Sequence, residues 1–370
     1  MISDFLILRF RDFCKVESHA CSAILKIPKF RNLQLLNQEK YYPGDLKFQY
    51  PKIVSPMKLL AAFIRLIRSV NLLFIAITQL LFQYCIVIPV FDKVQAPLVL
   101  STPLFIILVA ASVLIAAAGY IINDYFDLNI DLVNKPNKLV VEKIIKRRWA
   151  IIWHLVLSGA GVVLSVYVAW KTKVWWLIPA NMGCVAALWF YSTIFKKKLL
   201  SGNVIISLLT AWVILVIGFI THYVVIKKPE LYGSVEASKL MRRTFLYAGF
   251  AFIISLIREV VKDMEDINGD ARYGCRTMPI VWGINAAKIF SATWLIVLLT
   301  AVIVMTAYIL PFEWWWAAAY CVLFIIVPLL LLLRKLIKAV TPANFHSIST
   351  WLKLIMLSGI LSMLFFKLYS

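Results

Sequence analysis

Charge is scarce in this chain, and acid is the scarcest part of it. Of 370 residues only 15% are charged, with 18 acidic against 39 basic side chains. A soluble globular domain carries about 25% charged and about 45–50% apolar residues. Here 62% are hydrophobic and the mean hydropathy is +0.86. That balance excludes an ordinary soluble fold and makes lipid the solvent. Histidine is equally sparse: His19, His154, His222 and His346 are scattered, with no partner at metal-ligand spacing. Cysteine occurs at Cys14, Cys21, Cys85, Cys184, Cys275 and Cys321, never as C-x-x-C and mostly in or beside apolar runs. Such cysteines behave as small hydrophobes, so neither a zinc site nor a disulfide framework is expected. A clean signal peptide is also missing, because Asp4, Arg9, Arg11, Asp12 and Lys15 interrupt the first apolar residues. Residues 1–57 are read as an N-terminal arm of open role. It is either an amphipathic segment on the membrane surface or a stretch ahead of a true start at Met57, followed by the basic lead-in Lys58, Arg65 and Arg68. Residues 58–370 form the transmembrane domain.

What is present in quantity is long apolar sequence. A spanning helix needs about 20 apolar residues, and about nine segments qualify: roughly 70–90, 98–122, 150–170, 174–194, 204–226, 244–258, 287–309, 314–334 and 350–368. The sixth is the shortest and runs into a polar helix. Trp149, Trp170, Trp175, Trp176, Tyr308, Trp314, Trp315 and Trp316 gather near segment ends, as interfacial aromatics do. The fold class expected is therefore an all-α integral membrane bundle of about nine helices. The formal net charge of +21 fits the positive-inside rule and anionic headgroups. No basic–aromatic platform suggests nucleic acid, and no obligatory protein partner is evident. Lys135 to Arg148, Lys196 to Lys198, Arg258 to Lys288, and Arg334 to Lys353 all fall on one side if the first segment starts in the cytoplasm. The segment from Lys227 to Arg243, with five basic residues, runs against that assignment.

Charges at membrane depth are costly and functional by default, which directs attention to acids beside the spans. Two clusters stand out: Asn123-Asp124-Tyr-Phe-Asp127-Leu-Asn-Ile-Asp131 after the second span, and Asp263-Met-Glu265-Asp266-Ile-Asn-Gly-Asp270 after the sixth. Each holds D-x-x-D-x-x-x-D, and positions i, i+3 and i+7 share one helix face. Three stacked carboxylates repel one another unless a cation joins them. Magnesium commonly bridges one or two carboxylates to substrate phosphates, so two facing stripes suit a diphosphate clamp. Four crossings separate the clusters, putting both on one side together with Lys196 and Lys197. Arg258 and Lys262 are four apart on the helix of the second stripe, near enough to neutralise phosphate, although pairing with Glu259, Glu265 or Asp266 would also account for them. An EF-hand is excluded by the missing Gly and Glu positions.

These residues resemble the UbiA superfamily of membrane prenyltransferases. Asn123, Asp124, Asp127 and Asp131 match its first signature N-D-x-x-D-x-x-x-D, and Asn134-Lys135-Pro136 is similar to the following N-x-P. Asp266 and Asp270 match the second, D-x-x-x-D, with Asp263 preceding. Tyr191-Ser192, Lys196-Lys197 and Gly202-Asn203 are similar to the pattern between the motifs. The likeness runs from about Arg65 to the C-terminus. The chain departs from the family after the first motif, where Asn137-Lys138-Leu139-Val140-Val141-Glu142 replaces the Arg-Pro and Pro-Ser-Gly run that helps shape the acceptor pocket. Within the family, Arg258 to Asp270 followed by Arg276-Thr-Met-Pro is most similar to members that join geranylgeranyl to a prenylated glycerol phosphate.

The resemblance implies a transferase in a bacterial or archaeal membrane, its site facing the cytoplasm, that uses Mg2+, an isoprenyl diphosphate and a lipophilic acceptor. Asp124, Asp127, Asp263, Asp266 and Asp270 would hold metal, with Asp131 completing the first stripe and serving as a base. Asn123, Tyr191, Lys196, Lys197, Arg258 and Lys262 would bind diphosphate. Tyr120, Tyr125, Phe126 and Tyr191 are candidates for shielding an allylic cation, and Arg272, Arg276 and Lys288 for an additional anion site. Two other readings stay open: prenylation of an aromatic acceptor, and, more remotely, an ion-coupled transporter, whose charges usually lie nearer the midplane.

Overall fold

A computed structural model describes residues 56–134, 140–141 and 145–369. The N-terminal arm up to residue 55, with Cys14, Cys21 and His19, lies outside the described residues. So do Lys135, Pro136 and most of the divergent stretch 137–142. The described residues are helical throughout apart from short connections and an isolated bridge between Val141 and Ile145.

A short amphipathic helix, α1 (Pro56–Leu66), leads through Arg68 into α2 (Ser69–Asp92). There follow α3 (Thr102–Phe126), the short α4 (Leu128–Asn134), α5 (Arg147–Thr172), α6 (Leu177–Thr193) and α7 (Ser201–Lys227). The second half holds α8 (Ala237–Glu265), the short α9 (Ile267–Arg272), α10 (Ile284–Phe312), α11 (Trp315–Lys338) and α12 (Pro342–Leu368). Eight of these are long and apolar enough to cross a membrane. The fourth expected segment, α6, has 17 helical residues, or about 26 Å of rise, just short of the roughly 30 Å hydrocarbon core. The sixth is the opposite of its sequence reading. It runs for 29 residues, because Ala237 to Arg243 continue the helix. Basic side chains there can lay their apolar stems along the helix and keep their charges at the interface. The puzzling basic stretch is thus largely the first turns of a span rather than a loop.

Local causes of the architecture are visible along the chain. On α3, Phe105, Leu108, Ala111, Ile115, Ala118 and Ile122 are buried at spacings of three and four, one helical face. Small residues let neighbours approach: a Cβ on Gly161 of α5 would lie 2.7 Å from Ile115, and one on Gly119 2.7 Å from Leu188 of α6. Both π-helical turns, Gln83–Val87 and Val322–Ile326, end two residues before a proline, Pro89 and Pro328. Proline lacks a donor and crowds the carbonyl four residues back, and the widened turn absorbs this. One apolar core joins α2, α3, α7 and α8; a second joins α8, α10, α11 and α12. Large side chains facing outward, such as Val163, Ile289, Val304, Leu323 and Phe324, form the apolar exterior expected against lipid.

Candidate active site

The two acid motifs do not form continuous helical stripes. Each breaks at its middle aspartate. α3 ends at Phe126, Asp127 has φ −83° and ψ −3°, and Asp131 belongs to α4. In the same way α8 ends at Glu265, Asp266 has φ −93° and ψ 7°, and Asp270 belongs to α9. These values lie in the sparsely populated bridge region. The amides of Asp127 and Asp131 still reach back four residues, to Asn123 and Asp127 at 2.9 and 2.8 Å. The bend therefore re-aims the third carboxylate without losing backbone bonds. The sequence spacing sees only an uninterrupted period and cannot show it.

The two bends are fastened to each other by Asn134 at the end of α4. Its Nδ2 donates to the Asp266 carbonyl at 3.1 Å, and its Oδ1 accepts from the Gly269 amide at 2.9 Å. Gly269 is required by this contact, since a Cβ there would fall 2.4 Å from the Asn134 side chain.

Between the bends opens a cavity of about 270 Å³. Asp127, Asp131, Asp263, Asp266 and Asp270 line it, as do Tyr191, Lys196, Arg258 and Lys262. Most of the site residues expected from sequence are thus brought together. Lys197 is not: its side chain is exposed, and its carbonyl accepts from the Arg276 amide at 2.8 Å. Asp124 is taken up by an ion pair instead of lining the cavity. Tyr120 joins Tyr191 in the lining, whereas Tyr125 lies under Arg147 at 4.6 Å and Phe126 packs edge-on to Trp189. Arg272, Arg276 and Lys288 line no part of it, and Lys288 instead donates to the carbonyls of Ile337 and Ala339 at 2.7 and 3.0 Å.

The electrostatics are those of a site with internal counter-ions. Asn123 Nδ2 donates to Asp127 Oδ2 at 2.6 Å, and Lys196 Nζ pairs with the same carboxylate oxygen. Burial works against the Lys196 charge more than any one neighbour supports it, but Asp127, Tyr191 and Asp131 together raise its pKa above the ordinary lysine value. Arg258 pairs with Glu259 at 2.8 Å, and Asn203 Nδ2 donates to Asp263 at 2.8 Å.

Arg68 is a cavity residue that the sequence reading treated only as part of a basic lead-in. It donates to Asp124 at 2.7 Å, and its guanidinium lies 5.2 Å from the Tyr120 ring centroid. Burial opposes its charge, and Asp124, Tyr120 and Asp127 together more than compensate, raising its pKa further. Its backbone is left-handed, φ 51° and ψ 55°, a conformation costing a non-glycine residue about 1–3 kcal/mol and typical of functional sites. Glu259 and Lys353 are also cavity residues not expected there. No periodicity marks them, because they come from helices whose facing is decided by packing.

Among the described residues no three His, Cys, Asp or Glu side chains come close enough to hold one metal ion by themselves. An ion bound there would need phosphate oxygens and water to complete its shell. The carbonyl oxygen of Asn123 is buried with no hydrogen-bond partner among the described residues, an acceptor left open beside Asp127.

The model of the UbiA prenyltransferase family matches residues 94–354. This chain belongs to the UbiA prenyltransferase family. It is similar to the digeranylgeranylglyceryl phosphate synthase of Thermococcus sibiricus, at 29% identity over 170 residues, 46% of this chain and 53% of the relative. With that of Sulfurisphaera tokodaii it shares 33% identity over 201 residues, 54% and 62% of the two chains. The matches span about half to three-fifths of the length of these curated relatives. A solved digeranylgeranylglyceryl phosphate synthase superposes with a TM-score of 0.53 at 21% identity, covering 83% of this chain and 99% of the other. A UbiA homologue from Archaeoglobus fulgidus bound to DMAPP and Mg2+ superposes at 0.50 with 14% identity, covering 82% and 99%. At these identities the superpositions establish the fold. The UbiA-family chain is a multi-pass integral membrane protein, and the transporter reading is set aside.

Proposed function

We propose that this UbiA-family protein transfers an isoprenyl group, geranylgeranyl, from its diphosphate to the free hydroxyl of a prenylated glycerol phosphate. The observation that carries the reading is the pair of bent acid motifs fastened by Asn134 around one cavity that also holds Lys196, Arg258 and Lys262. Such a cavity is built to hold a polyanion together with divalent cations at the edge of a lipid-facing bundle. The named activity of the relatives supports the acceptor class.

Asp127, Asp263, Asp266 and Asp270, which line the cavity, would hold Mg2+, joined by Asp124 on exchanging its Arg68 partner; the ion when bound supplies Lewis-acid neutralisation of the departing diphosphate. Lys196, Arg258 and Lys262 take remaining phosphate oxygens, a preorganised set of charges in a low-dielectric site. The allylic C–O bond breaks with its electron pair going to diphosphate. Tyr191 and Tyr120 present aromatic rings to the allylic cation. The acceptor oxygen bonds to the allylic carbon, and its proton passes to Asp131. The apolar continuation of the cavity past Phe74, Ile75 and Leu188 accommodates the tail. By the basic loops, the site faces the cytoplasm of a bacterial or archaeal cell.

The test is to incubate membranes containing the protein with geranylgeranyl diphosphate, magnesium and a panel of acceptors, and to look for prenylated products by mass spectrometry. The panel holds a geranylgeranylated glycerol phosphate, 4-hydroxybenzoate and a naphthoate. A prenylated glycerol phosphate, lost in the Asp127→Asn, Asp266→Asn variant and with chelator, is expected. Product on an aromatic acceptor alone would replace the acceptor and keep the chemistry. Absence of any product or released diphosphate would overturn the reading.

A further inference from the structure

Lys353 lies on α12 one turn before Met356, and both line the cavity. From sequence it belongs with the basic residues of a loop, yet it is half-buried within the last span. The charges that act on it most strongly are mostly of its own sign: Arg258, Lys262 and Arg68, then the acid Glu259. Arg68 is already paired with Asp124, and Glu259 with Arg258. Lys353 makes no hydrogen bond or ion pair among the described residues. Arg258 spends Nη1 on Glu259, and its Nε is buried without a partner. A membrane protein does not hold an ammonium among guanidinium groups without an anion to receive it.

We propose that Lys353, with the unpartnered Nε of Arg258, forms a second anion subsite that binds the phosphate of the acceptor lipid. The subsite belongs to the α8–α12 side of the cavity, whereas Asp127, Lys196 and the α4 carboxylate belong to its α3 side. An acceptor phosphate held there leaves the glycerol hydroxyl free to reach the donor. Lys196 and Lys262 then stay with the donor diphosphate, and Arg258 is the cation that the two anions share. Arg272, Arg276 and Lys288, the candidates that composition offers for this task, are occupied elsewhere or lie outside the cavity.

The proposal rests on the acceptor class given above, and one experiment separates the two. KM is measured for a prenylated glycerol phosphate and for its dephosphorylated analogue at saturating donor, in wild type, Lys353→Met, Lys353→Gln and Lys353→Arg. Losing a charge-assisted hydrogen bond predicts a rise of about 10- to 100-fold in KM for the phosphorylated acceptor in the Met and Gln variants. For the neutral analogue and for the donor the same substitutions should move KM less than twofold, with Lys353→Arg staying near wild type. That non-additivity between removing the phosphate and removing the charge is what a merely structural lysine would not give. Equal losses on both acceptors, or a rise in donor KM matching that for acceptor, would overturn the subsite. A wild-type enzyme that ignores glycerol phosphate and prenylates only an uncharged acceptor would overturn the acceptor class first, and the subsite with it.

Discussion

Gly269→Ala is the most discriminating perturbation of the acid pair. The new methyl would fall 2.4–2.5 Å from three side-chain atoms of Asn134, so Asn134 must leave. With it go its hydrogen bonds to the Gly269 amide and the Asp266 carbonyl, 2.9 and 3.1 Å. At about 1 kcal/mol each, the loss is about 2 kcal/mol of docking between α4 and α9, a factor of up to roughly 30 in the aligned population. A displacement of about 1 Å between reacting groups can cost on the order of 100-fold in rate. The expected result is a fall of about 30- to 100-fold in magnesium-dependent diphosphate release, with global thermal unfolding shifted only modestly. Asn134→Ala should lose about as much. The double variant Gly269→Ala, Asn134→Ala should be no worse than either alone, because both act on one contact. Activity within twofold of wild type in Gly269→Ala, or additive losses in the double variant, would show that the clasp does not align the motifs.

Other expectations follow from the same geometry. Asp127→Asn and Asp270→Asn should each abolish diphosphate release, and chelation of magnesium should do the same, reversibly, to wild type in a phosphate-release assay. The Lys196 pKa is raised by Asp127, so the pair's contribution is complete below the ordinary lysine value and lost only as pH climbs through the higher folded value. The destabilisation by Lys196→Met should therefore be the same at pH 6 and pH 9 in thermal unfolding; a difference that vanishes by pH 9 would contradict it. Trp212 lines the cavity about 14 Å along α7 from Asn203 and donates to Asn181 at 3.3 Å. Trp212→Ala should raise the rate with donors longer than geranylgeranyl relative to geranylgeranyl itself, read by competition between chain lengths.

Much of the molecule is readable before any coordinates. Apolar length fixes the spans, because lipid leaves the backbone few alternatives. The repeated aspartate spacing points to both halves of the candidate site, and most of these aspartates do line one cavity. What the spacing cannot convey is the bend at Asp127 and Asp266, since i, i+3 and i+7 describe a straight helix. Asn134 was legible as part of a motif, but its role depends on α9, 132 residues away by the Asp266 contact. Arg68, Glu259 and Lys353 have no signature of their own. A basic residue at a span end satisfies the positive-inside rule whether or not it faces a cavity, and only packing of α2, α8 and α12 separates the cases. Lys197 errs in the other direction, placed by adjacency to Lys196 although the turn after α6 sends the two side chains apart.

The ion pairs that Lys196 and Arg68 make with Asp127 and Asp124 bear on the order of events. The cavity lining carries Asp127, Asp131, Glu259, Asp263, Asp266 and Asp270 against Arg68, Lys196, Arg258, Lys262 and Lys353, close to electroneutral at rest. A cation arriving alone must compete with resident ammonium and guanidinium groups, and a diphosphate arriving alone must compete with resident carboxylates. The two together can exchange partners with both, each displaced charge finding a new one. Under the proposed function, the pocket would act as a mixed-bed ion exchanger, taking up metal and polyanion together and resisting either by itself.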